Sequence, residues 1–342
     1  MRTFIVGVDS AKASFTSATV WAEQVCYQGE TVNTPSGCAH FASEMEQQAQ
    51  RSGASVIHLI IEPTGGYEAH LVAEAYRRQW FVTLVNPLTV RHWAQGRGRR
   101  VKTDRADALV LAHFGLETHP APQQPPDDAV AELDSLLRRQ SDLEKLLHSE
   151  RNRLAQAGLN PKRSPTIQPS IQRIIEALEQ ELVTIQHEIE QLIAHHATLS
   201  HQRQLLLSVP GIGAKIAPAL LVALHRFCAK TSGQGTAKQF TALLGLDPAP
   251  YESGASVRKR TTISRQGNAP LRSKLFLGAL GGVRGHNPLR TFYHSLLARG
   301  KPKKLALVAA SRKILVWAWA VFTHDTPFDP SRFNLASSAL PA

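Results

Sequence analysis

The sequence predicts an α/β domain with a sheet at its centre, then a long helical coiled-coil hairpin, then a mostly α-helical C-terminal domain. Three observations carry this. Between residues 3 and 114 short β-rich runs alternate with helical patterns. After a proline-rich stretch the apolar positions change to a four-three repeat, and from Gln202 onward they follow mostly helical spacing.

In order along the chain, FIVGVD, SATVWA and the extended run from Val25 to Val32 read as three successive strands, followed by a helix from about Ser36 to Gln50. VIHLIIE is a buried strand, YEAHLVAEAYRRQ a helix and FVTLVN a further strand, which closes a first domain at 1–114. The run PAPQQPP makes 115–127 a linker, because so many prolines cannot sit in a helix. An antiparallel hairpin follows over 128–201. In its first arm Leu133, Leu136, Leu143, Leu147 and Leu154 form a heptad-like seam that Gln140 and Glu150 interrupt. In its second arm Ile171, Ile175, Leu178, Leu182, Ile185, Ile189 and Leu192 alternate without a break. GLNPKRSP is the turn between them, and the seam doubles as a candidate dimerisation surface. The last domain, 202–325, contains LLLSVPGIGAKIAPALLVAL, TAKQFTALLGL, a turn-rich basic region from Asp247 to Gly267, and helices to about Phe322. Trp317 and Trp319 there read as packing residues. Residues 326–342 form a tail.

Composition narrows the function. Hydrophobic residues at 43% and charged residues at 19% are ordinary globular values, which excludes general disorder. A formal net charge of +12 favours a polyanionic partner, nucleic acid before an anionic membrane surface. The N-terminus lacks the apolar core of a signal peptide, so a cytoplasmic protein is expected. LALVAASRKILVWAWAVF is interrupted by Arg312 and Lys313, which reads as a buried amphipathic helix and not a membrane span. Cys26, Cys38 and Cys228 have no metal-ligand spacing and make an odd count, which speaks against zinc and disulfides.

Four carboxylates carry chemistry. Asp9 ends the first strand, and Glu62 ends a later one where Pro63 and the Gly65–Gly66 pair open a turn. Asp104 and Asp107 stand three apart on a helix, one face, with Cβ atoms about 5–6 Å apart. Taken singly, Asp104 suits a helix N-terminus and Glu62 a solvated turn. Taken together they could converge at one sheet edge, where like charges demand a cation. Mg²⁺ prefers such oxygen ligands, and two ions about 3.5–4 Å apart can stabilise both oxygens of a phosphodiester exchange. Arg97, Arg99, Arg100, Lys102 and Arg105 would hold a phosphate backbone beside them.

Two motifs stand in the C-terminal domain. In SVPGIGAKIA, Gly211 and Gly213 form a turn between helices. It either frees backbone N–H groups for a phosphate, as helix-hairpin-helix turns do, or permits close helix packing. In PYESGASVRKR, Ser253 precedes a glycine, and Arg258, Lys259 and Arg260 follow as phosphate counter-charges, with Arg265 and Arg272 further on. Read from the residues alone, Ser253 is a turn serine.

GVDSAKASF, IIEPTGGYE and VKTDRADALVLAHF resemble the three blocks of the DEDD-type insertion-sequence transposases, and the resemblance runs through SVPGIGAKIAPALL and LLGLDPAPYESGASVRKRTTISRQGNAPLR to the final helices. These are bridge-RNA-guided recombinases. The resemblance implies an RNase H-like (RuvC-like) fold for 1–114, an acidic tetrad at Asp9, Glu62, Asp104 and Asp107 holding Mg²⁺ or Mn²⁺, and Ser253 as the nucleophile that links covalently to DNA, with Ser256 and Ser264 nearby. It further implies donor and target DNA, a structured guide RNA from the element, dimers assembling to a tetramer with a composite site, and a nucleoid-associated protein with no membrane partner. Three rivals stand beside it: a RuvC-like nuclease without a covalent intermediate, a phosphotransferase of the sugar-kinase or actin-like kind, and a non-catalytic nucleic-acid scaffold. The kinase reading lacks a second phosphate turn and a glycine-rich adenosine site.

Overall fold

The computed structural model describes residues 2–22, 24–98, 104–125, 127–159, 164–253 and 257–333. Arg99, Arg100, Lys102, Ser256 and the tail beyond 333 lie outside the described residues. At Asp104, Arg105, Ser253, Arg258, Lys259 and Arg260 the description concerns the backbone alone. The chain divides into two compact units, 1–125 with 229–233 and 126–228 with 234–342.

The first unit is built on a five-stranded sheet in the order β3-β2-β1-β4-β5. Strands β1 (Thr3–Ser10), β2 (Ser14–Trp21) and β3 (Gln24–Val32) form an antiparallel meander. Helix α1 (Pro35–Arg51) follows, started by Thr34, whose hydroxyl accepts from the Gly37 N–H at 3.1 Å, and by Pro35 in its first turn. Strand β4 (Val56–Ile61) pairs parallel with β1, helix α2 (Ala69–Arg77) crosses over, and β5 (Phe81–Leu84) pairs parallel with β4. Helices α3 (Pro87–Gly96) and α4 (Asp104–Thr118) complete the unit.

Strand alternation divides the core in two. Phe4, Val6, Val8, Leu59 and Ile61 pack with Phe41 and Met45 of α1 and Leu71 of α2. Ile5 and Ile60 point the other way, against Ala108, Leu111 and Ala112 of α4. Both faces of the sheet are therefore covered, which is why β1 and β4 read as continuous apolar runs. Each large side chain so buried stabilises the fold by about 1.5–3 kcal/mol.

The proline-rich segment begins later than the pattern suggests, because α4 continues to Thr118. It also lies along the edge of the sheet. The Gln123 N–H donates to the Val82 carbonyl at 2.8 Å and its side-chain amide to the Leu84 carbonyl at 3.0 Å. Thr83 donates its single hydroxyl proton to the Ala121 carbonyl at 3.1 Å, so His58 Nε2, 2.7 Å away, is the donor to Thr83. Burial keeps that imidazole neutral and pushes its pKa down to about 4.

In the second unit α5 (Asp128–Ala157) starts on Asp127, whose carboxylate accepts from Ala129 N at 3.0 Å and Val130 N at 3.3 Å. Helix α6 (Ile167–His195) returns antiparallel to it: Gln140 donates to Gln186 at 2.6 Å and Arg151 to Glu179 at 2.7 Å. Leu133, Leu143 and Leu147 are buried on α5, and Ile175 and Ile189 on α6. Part of the predicted seam thus closes within one chain, while Ile171, Leu178, Leu182, Ile185 and Leu192 of α6 remain half-exposed. Gln140 and Glu150, the two breaks in the seam, are accommodated by hydrogen bonding, Gln140 to Gln186 and the buried Glu150 to Arg153.

Helices α7 (Ala197–Leu207), α8 (Ala217–Lys230) and α9 (Ala237–Leu243), the hairpin β6 (Pro248–Ser253) and β7 (Val257–Ile263), and helices α10 (Ala269–Gly282), α11 (Pro288–Ala298) and α12 (Lys303–His324) make up the rest, ending in a short turn at Pro330–Phe333. Among the described residues α12 alone is long and apolar enough to cross a membrane. Its Ala310, Ile314 and Trp317 are instead buried in the core of this unit, and Trp319 packs on Phe227 and Phe240.

Candidate functional site

The placement of the acids follows from one close approach. A Cβ added at Gly7 would lie 2.3 Å from the Ala108 carbonyl oxygen and 2.3 Å from the Ala112 nitrogen. No side chain fits there, so α4 lies directly on β1. A Cβ at Gly115 would meet Ile60 and Ile5, so the helix runs antiparallel to the strand, with its first turn toward the Asp9 end. Glycine in the middle of a strand was the available sequence signal for this approach, and it passed unused.

Asp9 lies two residues beyond Gly7 on the same face of β1. The parallel register of β1 and β4 ends with Val8 opposite Ile61, and Asp9 and Glu62 are each the next residue along the chain. Glu62 shares the parity of Ile60, hence the α4 face. On α4, Asp107 stands one turn before Leu111, and Asp104 one turn before Ala108, on the stripe that covers the sheet. Asp9, Glu62 and Asp107 are each half-exposed at this rim.

These residues offer only carboxylate oxygens, the donor set that Mg²⁺ or Mn²⁺ takes. Among the described residues no group of three or more His, Cys, Asp or Glu side chains is drawn together tightly enough to hold an ion. The donor chemistry of Asp9, Glu62 and Asp107 and their shared face fit a divalent cation. Gly7→Ala is expected to push α4 off the sheet, with an overpacking cost of about 1–3 kcal/mol. Thermal unfolding of the variant measures it. An unchanged Tm together with unchanged DNA strand transfer would mean that α4 is not seated on β1 in this way.

The basic candidates divide. Arg97 pairs with Glu117 and stacks over Trp93 at 5.8 Å, so it braces α3 against α4. Arg272 donates to the Leu244 and Gln266 carbonyls at 3.2 and 3.1 Å and holds the turn before α10. Arg265 is exposed, with its backbone in the left-handed region at φ 57°.

The two glycines of the Pro-Gly-Ile-Gly turn also differ. Gly211, at φ +92°, has Ile314 and Gly278 against the place of its missing Cβ, which is the close-packing role. Gly213 has nothing within 4 Å and stands exposed, open to approach. Ser253 closes β6 at the mouth of a turn, opposite Val257, and Glu252 is opposite Arg258. Ser264 lies at the other end of that hairpin and donates its hydroxyl to Asp247.

Comparison with known proteins gives the family. A DEDD-type IS110 model described as "Transposase" matches residues 6–157, and one described as "Transposase IS116/IS110/IS902 family" matches 203–294. The chain is 32% identical over 325 residues to the "Pilin gene-inverting protein" of Moraxella bovis, covering 95% of this chain and 97% of that protein. It is 32% identical over 333 residues to the protein of the same name from Moraxella lacunata, again covering 95% and 97%. An IS110 protein of 43.6 kDa from Streptomyces coelicolor is 27% identical over 176 residues, 49% of this chain and 40% of that one. With acids at one rim of an α/β sheet and relatives along its whole length, the chain belongs to the IS110 family of DNA transposases and recombinases.

Proposed function

We propose that this transposase excises and inserts its element through a two-part site, with Asp9, Glu62, Asp104 and Asp107 holding Mg²⁺ or Mn²⁺ and Ser253 acting as nucleophile. The observation that carries the reading is the seating of α4 on Gly7, which brings an acid pair on a helix to the sheet rim where two strand-end acids stand. Bound ions would supply Lewis-acid stabilisation of the phosphodiester oxygens. The chain's own part is to hold those ions, fix the phosphate with the basic residues beside Asp104 and after Ser253, and present the hydroxyl. In that step a bond forms between the serine Oγ and phosphorus, a phosphorus–oxygen bond to the sugar breaks, and the serine proton leaves as the departing sugar oxygen gains one.

The domain limits taken from the sequence belong to this reading: a RuvC-like domain at 1–114, the hairpin at 128–201 and the serine-bearing domain at 202–325. A structured guide RNA from the element's own end, a dimer assembling to a tetramer, and a nucleoid location complete it, by resemblance to the family. The relatives named for inverting pilin genes make inversion of a DNA segment the second reading of the same chemistry. Strand exchange between donor and target duplexes, run with and without RNA that copurifies with the protein, tests the proposal. Exchange that needs both Mg²⁺ and that RNA is expected. Exchange undiminished after RNase treatment would remove the guide.

A further inference from the structure

Between Glu252 and Asp325 the sequence contains no acidic residue and fourteen Lys and Arg, more positive charge than the +12 of the whole chain. The fold turns part of this span into a surface. Leu271, Leu275, Leu289, Ala310 and Ile314 of α10, α11 and α12 are buried in the core, which leaves the polar side of α11 outward. His286, Arg290, Thr291, His294, Ser295 and Ala298 line a shallow concavity of about 690 Å³ there. Exposed cations stand beyond both ends of the helix, Arg284 before it and Arg299, Lys301, Lys303 and Lys304 after it.

The ends of this helix are firmly built. Asn287 caps it, accepting from Leu289 N at 3.0 Å and Arg290 N at 3.1 Å, and Arg299 donates to the Ser295 carbonyl at 3.2 Å. Thr291, Ser295 and Ala298 keep the middle of the face low, and the two histidines offer hydrogen bonds without negative charge.

We propose that α11 enters the major groove of B-form DNA, with Arg284 on one phosphate row and Lys301, Lys303 and Lys304 on the other. An eleven-residue helix rises about 16 Å, enough to cross a groove about 12 Å wide and set cations on both of its walls. The deep, narrow major groove of A-form RNA does not admit a helix. An anionic bilayer would call for large apolar side chains on the exposed face, and the concavity has none. None of the residues of this surface belongs to the proposed metal set or to the serine hairpin, and its role rests on the reading that the chain acts on DNA.

The test uses the full chain, a B-form DNA duplex of random sequence, an A-form RNA duplex and anionic phospholipid vesicles, with binding followed by fluorescence anisotropy or sedimentation across a salt series. Replacing Lys301, Lys303 and Lys304 together by Gln is expected to lower the log–log salt slope on DNA by about 2–3, near 0.9 for each phosphate left without its cation. His294→Glu places a carboxylate against the groove and is expected to weaken duplex binding at least roughly tenfold. It should also remove protection of guanine N7, a major-groove atom, from methylation. Thermal unfolding checks that both variants remain folded. A wild-type protein that binds no duplex at all would defeat the DNA-acting reading itself. Wild-type binding with an unchanged slope in the triple variant, or N7 protection that survives His294→Glu, would overturn the groove docking alone. So would a loss of RNA-duplex or vesicle binding in these variants as large as their loss of DNA binding.

Discussion

Asp9→Asn and Glu62→Gln are each expected to abolish DNA strand transfer while leaving the protein as stable as before. Neither substitution changes the shape of a side chain that is half-exposed at the rim of the sheet. What each removes is one negative charge from the proposed metal set. Like charges at one rim do not stabilise one another without a cation, so losing one is expected to leave Tm near its parent value. With a cation, the loss falls on the reaction: a divalent ion is worth several kcal/mol to a developing phosphoryl charge, a thousandfold or more at about 1.4 kcal/mol per decade. Mn²⁺ binding, followed by its electron paramagnetic resonance signal, should weaken in step with activity, and Asp104→Asn should behave alike. Full strand transfer in any one variant would remove that residue from the metal set. A large fall in Tm would instead assign it to the fold.

How much of this was legible in the sequence depends on which kind of signal each part leaves. The strands of the sheet show as β-branched runs, and the arms of the hairpin as a four-three repeat, because packing constrains side chains at those positions. Helix α3 went unread although Asn86 caps it and Pro87 opens it, a start signal short of apolar residues to follow. The β6–β7 hairpin read only as a basic turn region, since VRKRTTI has apolar residues only at its two ends, Val257 and Ile263, and no apolar alternation between them. The attachment of 121–124 to the edge of β5 is made mostly by backbone groups, which every residue carries. Nothing in the residues at His195 and His196 marks the end of α6.

The acids illustrate the limit more sharply. Their types and spacings are local, but whether they meet depends on a helix lying against a strand about a hundred residues earlier, and the glycines at that contact, Gly7 on β1 and Gly115 on α4, mark it in the sequence. The acid-free span from Ser253 to His324 was legible from the start, by counting charge segment by segment. Counting over the whole chain gave the sign and hid the place.

Ser253→Ala is expected to lose both recombination and any covalent protein–DNA species, while keeping divalent-ion and DNA binding. An enzyme that used ions alone would activate water and leave no link to protein, whereas a serine nucleophile keeps the phosphodiester energy in a bond that a second strand can resolve. Of the two serines placed by the hairpin, Ser253 and Ser264, the first stands beside the basic run. Ser253 is the last residue of β6, and Arg258, Lys259 and Arg260 follow on the partner strand. Ser264 lies beyond the far end of β7, seven residues from Val257 and about 23 Å along the strand, with its hydroxyl held by Asp247. Protein incubated with its RNA and a nicked or mismatched target should therefore trap an adduct that resists denaturant, and peptide mapping should place it on Ser253. An adduct mapped to Ser256 or Ser264, or normal recombination by the alanine variant, would overturn the assignment and leave the carboxylate rim to act on water by itself.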